Sequence, residues 1–367
     1  MKIAIVTDAW HPQISGVVTT LGKTAEGLIA MGHKLCIISP EHFKTLPCPT
    51  YPSIRLAVNP VGPLRRMLDE FAPDAVHIAT EGPLGWTGRA YCRKREIVFT
   101  TAYHTQFPQY LRLRAPIPTS WSYAILREFH SGAVRTMAPT HSLRQELLSR
   151  GFSNVVIWPR GVDTNVFRPS DNKSFLDAPR PISIYAGRVA VEKNIEAFLN
   201  LELPGTKYVI GDGPDFEKLR RRYAAARFTG YKNHTDMAPY LAAADVFVFP
   251  SRTDTFGVVM LEAMACGLPV AAFPVTGPID VISNGLTGAL DIDLKNAILR
   301  ALELDGRASR DYALTNSWQR ATECFEGYLV DNSKRCRGIV SGKERASTEK
   351  ATFRASYTVV TKENQVN

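Results

Sequence analysis

The stretch Phe249-Pro250-Ser251-Arg252-Thr253-Asp254-Thr255-Phe256-Gly257-Val258-Val259-Met260-Leu261-Glu262-Ala263-Met264-Ala265-Cys266-Gly267-Leu268-Pro269 decides how this chain is read. A short apolar strand over 246–249 ends at Pro250-Ser251 and gives way to a polar turn. An apolar run follows with Leu261, Met264 and Ala265 at helical spacing, and Phe256-Gly257 stand where that helix begins. Backbone N–H groups of a first helical turn have no partner inside the helix, and a glycine beside them lets a phosphate approach the chain. Asp254 precedes the helix and Glu262 follows eight residues later. One carboxylate thus sits at the mouth of a site and the other lies two turns back. An elongated ligand with hydroxyls at both ends and phosphates between them fits that spacing, and a sugar nucleotide has this shape. Taken singly, Asp254 reads equally well as a helix cap and Glu262 as a solvated helix residue.

Outward from this stretch, apolar strands alternate with helical patterns in two series. The first has strands over 3–7, 35–39, 75–78, 97–101, 134–138 and 155–158, with a helix over 17–31 ending at Gly32. The second has strands over 182–186, 208–211, 228–230, 246–249 and 270–273. The segment 159–181 between them is rich in Pro, Gly and polar residues and reads as an interdomain hinge. Strands separated by helices imply right-handed βαβ units and parallel sheets. The predicted fold is therefore α/β, with two facing Rossmann-like domains and a ligand crevice at the carboxyl ends of their strands. A dehydrogenase of this architecture needs G-x-G-x-x-G after its first strand. The loop here, Asp8-Ala9-Trp10-His11-Pro12-Gln13-Ile14-Ser15-Gly16, has a single glycine, which argues against an oxidoreductase.

Length and composition agree. A chain of 367 residues with 45% hydrophobic content is enough for two cores. No stretch reaches the ~18 apolar residues of a membrane span, and the first eight residues read as a strand at the mature terminus rather than a signal peptide. Six cysteines without paired spacing read as reduced thiols of a cytosolic protein. The net charge of +9 is concentrated early, since residues 1–150 hold 17 basic and 10 acidic side chains. Arg89, Arg93, Lys94 and Arg95, then Arg112 and Arg114, lie near Tyr110, Trp121, Tyr123 and Phe129. Basic and aromatic residues together suit an anionic bilayer surface. No nucleic-acid motif accompanies the charge.

Asp254-x7-Glu262, with Phe256-Gly257 inside it and Glu262-Ala263-Met264-Ala265-Cys266-Gly267-Leu268-Pro269 closing it, resembles the signature of glycosyltransferase family 4, retaining enzymes of the GT-B fold. The usual first acid of that signature is Glu. Asp254 departs from it and matches a branch that includes sulfoquinovosyldiacylglycerol synthases and GDP-mannose-dependent α-mannosyltransferases. The resemblance covers residues 1–330. It implies an acceptor-side domain over 1–168, completed by a closing helix over 316–330, and a nucleotide-sugar domain over 169–315. In this reading His104 and Asp254 attend the transferred sugar. Gly16, Arg188, Lys193 and the segment Phe256-Gly257-Val258 hold the donor, the diphosphate falling to Arg188 and Lys193, and Glu262 holds the ribose hydroxyls. The loops carrying Gly211, Gly213, Tyr231 and Lys232 face the base, and His11 borders the acceptor channel.

The chemistry follows from the leaving group. A glycosidase protonates a poor alkoxide with paired carboxylates. A nucleoside diphosphate leaves once its charge is compensated, which Arg188, Lys193 and helix-start N–H groups can do. No metal and no cofactor is expected, and Asp291-Ile292-Asp293 reads as a cluster at a helix start. The branch and the basic first domain favour a lipid acceptor such as diacylglycerol at the inner face of a membrane. A soluble or polysaccharide acceptor with GDP-mannose is the alternative, and a two-domain sugar-nucleotide epimerase is a third reading. Residues 332–367 turn polar and basic and read as a disordered tail.

Overall fold

Ile3, Ala4, Ile5 and Val6 are all fully buried, as expected of a strand covered by helices on both faces. The computed structural model describes residues 1–48, 51–114, 118–333 and 359–360. Its strands are β1 (Lys2–Val6), β2 (Lys34–Ile38), a hairpin of β3 (Thr45–Cys48) and β4 (Tyr51–Ala57), β5 (Ala75–Ile78), β6 (Phe99–Ala102), β7 (Arg135–Ala138) and β8 (Val155–Ile157), followed by β9 (Ile182–Ala186), β10 (Thr206–Ile210), β11 (Arg227–Gly230), β12 (Val246–Phe249), β13 (Val270–Ala272), β14 (Gly288–Leu290) and the two-residue β15 (Val359–Val360). One sheet runs β15-β2-β1-β5-β6-β7-β8 and the other β11-β10-β9-β12-β13-β14. Pairing within both is parallel, except that β15 lies antiparallel to β2. In the second sheet β9 has β10 on one side and β12 on the other, so the strand order reverses there. The crevice at such a reversal is where open α/β sheets bind ligands. Arg188 follows β9 and Asp254 follows β12, so both stand at it.

The expected helix after β1 is Gly16–Ala30, capped by Ser15, whose hydroxyl accepts from the Val18 N–H at 3.3 Å. The signature helix is Val258–Ala265. Every residue from Met260 to Ala265 is buried, so it is a core helix rather than one with a single apolar face. It packs against Gly306–Leu314 as well as the sheet. Asp293 caps the helix Leu294–Ala301 by accepting from the Lys295 N–H at 2.9 Å, which gives the acid pair its helix-start role.

The last helix, Trp318–Tyr328, returns to the first domain and lies along Gly16–Ala30. Phe325 and Leu329 share a core with Ile3, Ile5, Leu21, Leu28 and Trp158, and the Trp158 indole N–H donates to the Ala321 carbonyl at 3.0 Å. Where the two interdomain strands of chain pass, Gly161 has no room for a side chain: a Cβ would stand 2.3 Å from the Trp318 nitrogen.

Two expectations need correction. The tail does not begin at residue 332. Asn332 is buried, its amide donates to the Val98 carbonyl (2.9 Å) and its Oδ1 accepts from the Val98 N–H (3.0 Å), bridging loop ends beneath β6. Val359 and Val360 pair with β2, and the rest of 334–367 lies outside the described residues. The basic patch is also not uniformly superficial. Arg89 is buried, donates to the Phe129 and Glu128 carbonyls and to the Glu128 carboxylate, and stacks on Trp86. Arg95 pairs with Asp69 at 2.9 Å, and Tyr123 and Phe129 are core residues. A charged residue on a helix packed against a second helix reads, in sequence, like one facing water. Cys36, Cys92, Cys266 and Cys324 are thiols.

Candidate active site

Two loops of the second domain are fastened together at the carboxyl ends of β9 and β12. The Asn194 side chain donates to the Pro250 carbonyl at 3.0 Å, and the Ser251 and Thr253 hydroxyls each donate to the Glu192 carbonyl at 3.3 Å. The Tyr185 hydroxyl donates to the Arg188 carbonyl at 2.7 Å, so the half-buried Arg188 is held by its main chain. Lys193 donates to both oxygens of Asp254, at 2.6 and 2.8 Å, with side-chain exposures of only 20% and 14%. The cation assigned to the diphosphate and the acid assigned to the sugar are therefore paired with each other. Gly257 precedes Val258–Ala265 with φ +83, a left-handed conformation, and a Cβ there would lie 2.7 Å from Phe249 Cζ. Phe256 turns its ring into the second core, leaving its main chain for the crevice.

The first domain closes on this loop. The Thr255 hydroxyl donates to the His104 carbonyl at 2.7 Å, and Thr140 donates to the Thr255 carbonyl at 3.5 Å. Asp280 of the second domain accepts from the backbone N–H of Ser142 at 2.9 Å and from its hydroxyl, capping the start of His141–Ser149 from across the cleft. The His104 main chain is thus tied to the residue that follows Asp254. The His104 ring is buried, edge-on to Trp158 at 5.6 Å, with Nδ1 3.3 Å from Arg160. Burial, with Arg160 as the next contributor, holds the imidazole well below its usual pKa. Among the described residues Nε2 has no hydrogen-bond partner.

Glu262 lies in a cavity of ≈ 180 Å³ between the domains, with Thr19 and Lys23 from the first helix and Thr235, His234, Asp163 and Trp318 around it. His234 Nε2 stands 3.5 Å from its carboxyl. Desolvation pushes the Glu262 carboxyl up to about 8 from 4.5. The folded protein therefore keeps this proton where the unfolded chain has released it, and unfolding free energy falls as pH rises from about 4.5 to about 8. Glu262→Gln is expected to flatten that slope in urea titrations at the two ends of the window; an unchanged slope would contradict the assignment.

Other predicted residues separate by role. Gly16 is exposed at the first turn of its helix, with nothing within 4 Å of a notional Cβ, so the space beside it is open. Gly211 and Gly213 are explained by packing. Their Cβ atoms would lie 1.8 Å from the Gly187 carbonyl and 2.3 Å from that of Val189, so they let the Arg188 loop lie flat on its neighbour. Tyr231 is exposed, and Lys232 stands over the Tyr240 ring at 5.9 Å. Arg160, Thr255, Asp280 and His234 were missed. Arg160 sat in the segment read as hinge, and the others act only once the domains meet or the chain folds back.

Two facing Rossmann-like domains, with cations, acids and a buried histidine meeting in the crevice between them, define a GT-B glycosyltransferase. Residues 14–166 match the family model described as Glycosyltransferase Family 4, and residues 180–303 match Glycosyl transferases group 1. A GDP-mannose-dependent alpha-mannosyltransferase of Mycobacterium tuberculosis (strain CDC 1551 / Oshkosh) is 31% identical, over 79% of this chain and 83% of that one. Sulfoquinovosyl transferase SQD2 of Arabidopsis thaliana is 28% identical over 84% and 69%. Alpha-monoglucosyldiacylglycerol synthase of Acholeplasma laidlawii is 26% identical over 74% and 79%. The structure of sucrose-phosphate synthase from Thermosynechococcus elongatus superposes with TM-score 0.72 at 20% identity, covering 93% of this chain and all of that one. The chain belongs to glycosyltransferase family 4, and it is a glycosyltransferase that uses a nucleotide sugar.

Proposed function

We propose that this protein transfers a hexosyl or uronosyl group, with retention, from a nucleoside-diphosphate sugar to a membrane lipid such as diacylglycerol. The observation that carries the transfer is that the loop of Arg188 and Lys193 is tied to Asp254, while Thr255 beside it binds the His104 carbonyl across the crevice. In the step inferred, the bond from C1 of the sugar to the phosphate oxygen breaks and the diphosphate takes the electron pair. The acceptor oxygen bonds to C1 on the same face, and its proton passes to the departing phosphate oxygen. Arg188 and the backbone N–H groups at the start of Val258–Ala265 balance the developing charge, so the reaction is expected to need no metal.

Three features support a lipid acceptor. Trp121 and Ile125, one turn apart on Thr119–Ser131, are 71% and 59% exposed, and Phe107 on the neighbouring helix is half exposed. Apolar side chains displayed this way beside an excess of cations suit an anionic membrane surface, with the protein peripheral on the inner face. No helix among the described residues is long and apolar enough to cross a membrane. A cavity of ≈ 300 Å³ at the carboxyl end of β1, lined in part by Trp10, His11, Phe43 and Arg55, supplies room for an acceptor head group. Finally, one relative is named for diacylglycerol. Mannosyl or hexosyl transfer to a soluble or polysaccharide acceptor is the second reading, favoured by the relative named for GDP-mannose.

The test is a donor screen with UDP-glucose, UDP-galactose, UDP-glucuronate and GDP-mannose, with diacylglycerol in mixed micelles, with and without EDTA. Label in the organic phase, unchanged by EDTA, is the expected result. Nucleotide release without lipid label would move the acceptor to a soluble glycan, and loss of turnover in EDTA would overturn metal independence.

A further inference from the structure

Arg160 is 96% buried, and its polar contacts are unusual for a buried cation. Nη1 donates to the Trp158 and Pro159 carbonyls at 2.7 and 3.2 Å, the guanidinium lies over the Trp158 ring at 4.4 Å, and Nη2 stands 3.3 Å from His104 Nδ1. A guanidinium carries donors only. Nδ1 must therefore be the acceptor, because an Nδ1–H would point a proton at the Nη2 proton. A neutral imidazole whose Nδ1 accepts carries its proton on Nε2. That Nε2 is buried and has no hydrogen-bond partner among the described residues.

We propose that Arg160 is a positioning residue: it fixes His104 as the Nε2–H tautomer, so that the imidazole meets the transferred sugar as a hydrogen-bond donor. The second half rests on the transferase reading of His104; the first does not. The carbonyl bonds and the Trp158 stack hold the guanidinium in plane, and Thr255 holds the His104 main chain. Orientation of both partners is thus set before any substrate arrives. The groups acting on the ring's protonation are Arg160 from the segment after β8, His77 from β5 and His130 from Thr119–Ser131. Each of these disfavours the imidazolium, so Nδ1 keeps its lone pair for Arg160 in mild acid.

The test is ¹⁵N NMR of the full chain with labelled histidine and no substrate, the His104 signals being assigned by their loss in His104→Phe. The expected spectrum has a protonated Nε2 and a bare Nδ1, unchanged from about pH 5 to 8. In Arg160→Met, which keeps an apolar stem on Trp158, His104 is expected to become a tautomer mixture. Turnover should fall on the order of 100-fold, with little change in donor KM. Arg160→Lys, which retains a charged donor, should restore part of both and serves if the Met variant does not fold. A wild-type His104 protonated on Nδ1, or an unchanged tautomer in folded Arg160 variants, would overturn the proposal. If wild type released no nucleotide from any donor, the transferase reading would fail while the tautomer result stood.

Discussion

Arg188→Ala is expected to lower turnover by about 10²–10³-fold while leaving the melting curve almost unchanged. The Arg188 side chain is half-buried beside the crevice, and the bond from Tyr185 runs to its carbonyl and survives the substitution. The departing diphosphate gains charge on the way to the transition state, so a cation aimed at it stabilises that state more than the bound donor. The loss should therefore appear mainly in kcat rather than in donor KM. Lys193 is poorly placed to substitute, because both of its hydrogen bonds go to Asp254. Arg188→Lys keeps the charge but loses the planar fork and should fall between the two. Steady-state nucleotide release with circular dichroism of each variant decides it; wild-type turnover in Arg188→Ala would remove the phosphate assignment.

Asp254→Asn is expected to damage stability and activity together. Lys193 and Asp254 are both largely out of water, and removing one partner of such a pair strands the other charge. A loss of about 3 kcal/mol in urea unfolding is expected, with turnover reduced below detection. The double variant Lys193→Met, Asp254→Asn separates the two effects. With neither charge left, stability should return most of the way, whereas turnover should not. Recovery of turnover in the double variant would show that the pair is structural and that the sugar is held elsewhere.

Most parallel strands were legible because each is a short apolar run between turns, and parallel pairing follows from the helices that separate them; the β3–β4 hairpin and β14 were not read, nor was the order of strands in either sheet. The Asp254–Glu262 spacing was legible because both acids belong to one local element. Contacts made by apposition were not. Arg160 meets His104 across 56 residues and Thr255 meets it across 151, and no local pattern announces either. The Lys193–Asp254 pair was hidden for the same reason: each residue matched a ligand-binding motif, and only the fold showed that they neutralise each other. Glu262 read as either ligand or surface residue until its burial was seen. Arg89 shows the converse error, where a real cluster of basic letters contained one cation that caps the end of a packed helix.

The return of Trp318–Tyr328 to the first domain also sets an order of assembly during synthesis. Every strand of the second sheet is available once residue 290 has been made. The first domain, begun earlier, still lacks Phe325 and Leu329, and until they emerge Leu21, Leu28 and Trp158 lack part of their cover. The nascent chain therefore carries an apolar groove through the whole time that its second half is being translated. The half that starts first finishes last, and the enzyme's two lobes mature in the reverse of the order in which they leave the ribosome.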